Sequence, residues 1–271
     1  MKHNQNKIRN LLSVDWDFFF LEGNPDTADN FILYDWGRRE APLFITGLWE
    51  HRAAAFYDHQ LPLPGLSGEQ ENFWSRFQFH PHAKLYTSES HCDIVQKEFR
   101  MVREIWNFDA HHDLGYSVES IRNLILQGRV DCGNWGVTYA LHPISAWYHV
   151  VYPRWKTWAN VVEPIDGLRQ MWKEATVESV ERRVTLLMDS ESVSANAPVF
   201  DAVFVCRSGA WVPSWNDMDA EYLRFLDACP VQNRVELRPL LPRRFSVDKA
   251  KQYHEIASNL KNELLKQGVS A

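Results

Sequence analysis

Short apolar runs that break off abruptly into polar or glycine-containing loops constrain this chain more than any other feature. Residues 11–16, 105–108, 184–188 and 202–206 are such runs. Each is the right length for a strand buried on both faces. Amphipathic stretches alternate with them. Ser117 stands ahead of Ile121, Leu124 and Ile125, and Gly128 follows, as the cap and stop of a helix. Asp217 or Asp219 is placed to cap a helix through Leu223 and Leu226. The clearest helix opens at Ser246, carries Tyr253, Ile256, Leu260 and Leu264 on one stripe, and ends at Gly268. Strands alternating with helices predict an α/β fold of three layers, with a mostly parallel sheet and helices on both faces. Sites in such sheets lie at the carboxyl ends of strands. There is no internal repeat or low-complexity segment, and residues 1–271 read as a single domain. Residues 60–82, with Pro62, Pro64, Gly65, Gly68 and Pro81, read as a long loop, either a lid or a surface excursion.

Two of these runs end in unusual chemistry. Trp106-Asn107-Phe108 is followed by Asp109-Ala110-His111-His112-Asp113. Carboxylate, imidazole and carboxylate recur at i, i+2 and i+4, which an extended or tightly turning segment points the same way. Hard oxygens with one imidazole suit Mn²⁺, Fe²⁺ or Zn²⁺. The bland alternative is a solvated polar loop. The second stretch is Leu11-Leu12-Ser13-Val14-Asp15-Trp16-Asp17-Phe18-Phe19-Phe20, with two carboxylates inside a strongly apolar segment. Burying unpaired carboxylates costs several kcal/mol, so a cation should compensate, a metal most directly and a salt bridge otherwise.

These residues resemble a family. DAHHD is similar to the D-A-H-x-D metal motif of the arginase and ureohydrolase superfamily, and SVDWD to its S-x-D-x-D motif. DWDFFF and Asp131-Cys132-Gly133-Asn134-Trp135 look closer to an arginase-like branch that converts arginine to ornithine within peptides destined to become natural products. The resemblance implies an arginase-like three-layer fold and two Mn²⁺ ions. It implies that Asp109 and Asp15 bridge the ions, that His111 and Asp17 complete one, and that Asp113 and an upstream histidine complete the other. His91 is that histidine by position, in Ser88-Glu89-Ser90-His91 after the strand-like residues 84–86, where the family has G-G-D-H. The motif order departs from typical arginases, because SVDWD comes first here. It looks like a circular permutation.

The implied activity is hydrolysis of a guanidinium group in an arginine-containing peptide, giving urea and ornithine. Asp17 relays a proton to the departing nitrogen, and His112 or His142 shuttles protons to solvent, each with a structural histidine as its alternative. A guanidinium needs an acceptor. Glu50 is the preferred one because it follows the strand-like residues 43–46, and Asn134 in its turn is a candidate substrate contact. Free arginine, another small guanidino compound and deacetylase-like amide hydrolysis with one zinc are the rivals within the superfamily. A HAD-type phosphohydrolase, a Mn²⁺-dependent sugar-nucleotide transferase and a non-catalytic binding protein are the rivals outside it.

Composition mainly excludes. The net charge of -6 argues against nucleic acid or an anionic membrane surface as partner. The polar start of the chain lacks the unbroken apolar run of a signal peptide, and no run is long enough to cross a bilayer. Cys92, Cys132, Cys206 and Cys229 form no CxxC pair and read as buried free thiols. A cytoplasmic protein is expected, with oligomerisation left open. The 12 Trp and 15 Phe are expected mostly in the core, with Trp211 and Trp215 as candidates for a binding surface.

Overall fold

The computed structural model describes residues 8–20, 42–141, 146–156, 166–171, 173–208, 211–215, 219–240 and 242–267. They fall into two compact units. One lies within the spans 1–19, 68–208 and 225–240, the other within 20–67, 209–224 and 241–271.

In chain order the first elements are β1 (Asn10–Asp15), α1 (Pro42–Asp58), β2 (Phe79–Ser88) and β3 (Glu104–Phe108). Next come α2 (Val118–Gln127), α3 (Trp135–Ala140), β4 (Trp147–Tyr152), α4 (Asp166–Arg169) and α5 (Glu174–Glu181). Then β5 (Val184–Met188), α6 (Glu191–Ala195), β6 (Phe200–Cys206), α7 (Asp219–Ala228), β7 (Asn233–Glu236) and α8 (Val247–Lys266) complete the set. All seven strands belong to the first unit and form one sheet in the order β5-β4-β3-β1-β6-β2-β7. Every strand pair is parallel, which makes the protein a three-layer α/β fold. From β1 the chain moves to β2 on one side, and from β3 to β4 on the other. The strand order therefore reverses between neighbours β1 and β3, the place where sites form at the carboxyl ends of strands in such sheets.

The two faces of the sheet are built differently. Leu11, Ile105, Tyr148, Val150, Ala202, Phe204 and Cys206 share one apolar cluster with Trp135 and Ile121. Alternation along β1 puts Ser13 and Asp15 on that same face. Elsewhere in the unit the aromatics after Asp17 pack as core. Phe18 meets Phe108 at 5.6 Å between ring centroids, and Phe19 meets Phe73 at 5.3 Å and Phe225 at 5.1 Å. The Trp74 indole donates to the Phe225 carbonyl at 2.7 Å. Residues 73–77, within the expected loop, are thus anchored in the core by Phe73 and Trp74.

Helix α2 begins and ends as expected. Ser117 accepts from Ser120 N at 3.1 Å, and Gly128 adopts φ +64°, open to glycine without strain. Ser246 caps α8 by accepting from Lys249 N at 3.3 Å; Gly268 lies outside the described residues, as does Asp217. Asp219 is the first residue of α7.

One expectation is overturned. Residues 43–46 are not a strand but the first turns of α1. A four-residue apolar run cannot be told from a helical segment by periodicity. Pro42 at the helix start and the Ala53-Ala54-Ala55 run downstream favour the helix. In this second unit Trp215 packs on Trp49 at 5.0 Å and donates to the Pro64 carbonyl at 2.9 Å. It is partly buried against that unit's own small core.

Candidate metal centre

Strand register delivers the first donors. Val14 pairs with Phe108, so Asp15 and Asp109 leave the sheet at one level, and Asp15 pairs in turn with Cys206. Ser88, the last residue of β2, pairs with Cys206 from the other side. His91 follows three residues later, in a 3-10 turn whose cap Ser90 accepts from Cys92 N. Beyond β3 the chain bends, and Asp113 takes φ +55°. A left-handed non-glycine costs about 1–3 kcal/mol and persists only where surroundings enforce it. Here Gly136 N donates to the Asp113 carbonyl at 2.9 Å, an approach a Cβ on Gly136 would block at 2.9 Å.

All six predicted ligands converge. Nδ1 of His91 lies 3.1 Å from Asp15 Oδ2, 3.3 Å from Asp113 Oδ2 and 3.7 Å from Asp109 Oδ2. Nδ1 of His111 lies 2.9 Å from Asp17 Oδ2 and 3.4 Å from Asp109 Oδ1. The donors thus form two groups, one around His91 and one around His111, and Asp109 turns one oxygen toward each. The ligand atoms of Asp17, Asp109 and His111, and those of His91, Asp109 and Asp113, lie within 4.8 Å of one another. These buried clusters can hold a metal ion.

Neighbouring groups hold these donors in place. The Ser13 hydroxyl bonds His91 Nε2 at 3.0 Å, which leaves Nδ1 to face the carboxylates. The Trp135 indole donates to Asp113 Oδ2 at 2.6 Å, and the Asn107 amide to Asp109 Oδ2 at 3.1 Å. Backbone amides of His111 and Ala110 donate to Asp109 Oδ1 at 2.7 Å and to Asp17 Oδ1 at 3.3 Å. Two buried atoms aimed into the cluster, Asp17 Oδ2 and His91 Nδ1, make no well-aligned hydrogen bond and face only the cluster's own ionisable groups. Buried polar atoms are rarely left so, and a cation would satisfy both.

The electrostatics point the same way. Burial, then the neighbouring Asp15 and Asp109 charges, push the Asp17 carboxyl up to about 7. Burial and Asp109 also raise Asp15 and Asp113. Burial would raise Asp109 too, but the hydrogen bond and charge of His111 and the charge of His91 outweigh it and hold Asp109 at about 2. Burial opposes the charged form of His111, yet Asp17 and Asp109 carry it to about 10. Four buried carboxylates face only two imidazoles, a shortfall of positive charge that divalent cations would fill.

The other predicted residues fare differently. His112 accepts from Leu114 N at 3.0 Å through Nδ1, and its ring stacks on Tyr116 at 4.1 Å. Burial, then the charge of His111, drives it down to about 3, a neutral ring poorly suited to shuttling protons near neutrality. Asn134 spends its amide on Ser120 and Arg129 and accepts from Asp131 N at 2.8 Å, so it shapes the turn. Glu50 lies within α1, buried in the second unit. His142 lies outside the described residues. Sequence reasoning passed over Ser13, Asn107, Trp135 as a hydrogen-bond donor, and Cys206, whose donor atom groups with those of Asp15 and His91. The one trace of Cys206 in the sequence is its place at the end of the apolar run 202–206, which a packing thiol would share.

Fold and site together define a parallel α/β protein with a buried carboxylate–histidine centre at its topological switch point. No family model, characterised protein or solved structure matches the chain. No helix among the described residues is long and apolar enough to cross a membrane.

Proposed function

We propose that this protein is a manganese-dependent hydrolase that removes the amidine carbon of arginine residues in a peptide, leaving ornithine and releasing urea. The observation that carries the reading is Asp109, whose two oxygens face two separate donor groups. One carboxylate shared between two ligand sets suits two neighbouring ions. Asp15, Asp109, Asp113 and His91 would hold one, and Asp17, Asp109 and His111 the other. Two such ions, when bound, activate water as a nucleophile at neutral pH.

The chain's own residues account for the proton. Water adds to the guanidinium carbon, the bond from that carbon to the side-chain nitrogen breaks, and the departing amine needs a proton. Asp17 Oδ2 is buried and lies 2.9 Å from Nδ1 of His111, on the donor group that reaches solvent, so it is placed to receive and return that proton. His111 is the most open of the six donors, its side chain 18% exposed against 1% for His91. Substrate would approach from that side. A phosphohydrolase using Asp15 as nucleophile leaves His91, Asp109 and Asp113 without a task. Preference for a peptide rests on the likeness of DWDFFF and DCGNW, since the aromatics after Asp17 are core.

The test is mass spectrometry of an arginine-containing peptide, and of free arginine, after incubation with protein and Mn²⁺. Ornithine in the peptide with urea in solution is expected. Urea from free arginine alone would make the protein a small-molecule ureohydrolase, and urea from neither would overturn the reading. A single zinc per chain with no second ion would favour amide hydrolysis.

A further inference from the structure

Cys206 is the cysteine that stands in a cluster of metal donors among the described residues. It closes β6, pairs in register with Asp15, and so projects from the same face of the sheet. One donor atom from each of Asp15, His91 and Cys206 lies within 4.8 Å of the others. All three residues are buried, and His91 turns its Nδ1 to Asp15 Oδ2 at 3.1 Å, on the same side as the sulfur. The sulfur is also not in a purely apolar setting. Ser208 N donates to it at 3.2 Å, from a residue held at φ +55°. Ser208 thus fixes the thiol at the strand end, beside Asp15 in register.

We propose that Cys206 is a sulfur ligand on the His91 side of the metal centre, making the two ion positions chemically unequal. The His111 side offers oxygen and nitrogen, which suit manganese. The His91 side adds a soft sulfur, which favours zinc or iron(II) over manganese. The centre would then be mixed, with a thiolate-bearing ion held tightly and a manganese ion exchanging beside it. This rests on the reading of Asp109 as a bridge between two ions.

Cobalt(II) is the probe, because a cobalt–thiolate bond gives an intense near-ultraviolet charge-transfer band that oxygen and nitrogen donors do not. Metal-stripped protein is titrated with cobalt, while uptake is measured separately by equilibrium dialysis. The band should grow with cobalt uptake in the unaltered protein. It should vanish in Cys206→Ser and Cys206→Ala, which should still bind cobalt. It should persist when Cys92, Cys132 and Cys229 are together replaced by serine, which covers the case where the Cys206 variants fail to fold. The zinc-to-manganese affinity ratio should fall about tenfold or more in Cys206→Ser, since even residues outside the ligand shell are worth about 10–100-fold. Cobalt uptake without the band, or a band that survives both Cys206 substitutions, overturns the sulfur ligand and leaves the metal centre standing. No cobalt uptake overturns the centre itself, and this proposal with it.

Discussion

The two halves of the candidate centre share Asp109 but are built to different standards. Around His91 every donor is braced. Ser13 holds the ring from behind, the Trp135 indole holds Asp113, and Gly136 admits the tight turn that aims it. Around His111 the bracing is lighter. Backbone amides hold Asp17 Oδ1 and Asp109 Oδ1, but the imidazole reaches solvent. A braced donor set is preorganised and binds tightly, whereas a looser one can rearrange as protons and substrate move through it. The His91 half reads as the anchor, the His111 half as the working side.

The strongest test of this division removes the shared residue. Asp109→Asn should empty both halves, with bound metal falling toward none and turnover dropping about a thousandfold or more, as when a residue acting in a catalytic unit is lost. Asp17→Asn and Asp113→Asn should each strip only their own half, lowering the metal count by one. Metal analysis of the three variants decides the matter. Equal counts in all three would mean that there are no separate halves.

Next in size are the braces. Ser13→Ala and Trp135→Phe should weaken metal binding at the His91 half by about 10–100-fold and leave the other half nearly unchanged. Competition with a chelator resolves the two affinities. An equal weakening of both ions would show that the braces act on the whole centre and that the anchor is not a separate part.

What the sequence discloses about this centre follows from how unusual each residue is in its setting. Asp15 and Asp17 in an apolar stretch, and three donors in the five residues after β3, conflict with simple burial, and such conflict is visible without coordinates. His91 was legible only through its place after a strand. Cys206 and Ser13 were not singled out, because a thiol or hydroxyl in a buried strand looks the same whether it faces a metal or packing. The parallel sheet was legible from its apolar runs, but β7, with the polar sequence Asn233-Arg234-Val235-Glu236, carries no such run. Residues 43–46 failed for the converse reason, an apolar run too short to reveal its period.

Titration distinguishes the halves more gently. In metal-free protein the Asp17 carboxyl is raised from an ordinary 3.8 to about 7, so the folded state resists its ionisation. That costs stability progressively as pH rises from about 4 through about 7. His111 is raised from 6.5 to about 10; its stabilisation is complete below 6.5 and is lost as pH rises through 10. Asp109, held at about 2, acts oppositely, its stabilisation lost only as pH falls from 3.8 through 2. Chelator-treated protein should therefore melt at a lower temperature at about pH 8 than at about pH 5, and manganese should shrink or reverse that difference. An unchanged slope with metal would mean that no ion sits among these groups.

The smallest effect on turnover is expected at His112, in sequence the neighbour of His111 but in structure its opposite. His111 reaches solvent and is held charged, whereas His112 is buried, neutral and occupied by Leu114 N. His112→Phe should leave the pH profile of turnover in place and reduce kcat no more than about tenfold, less than the roughly 10²–10⁴ of a lost general acid or base. It should instead cost about 1–3 kcal/mol of stability, because the Leu114 amide loses its acceptor in a buried position. Denaturant unfolding measures that loss. A shifted pH profile, recovered by adding imidazole, would make His112 the shuttle and would place proton traffic beside the centre rather than through its exposed His111 side.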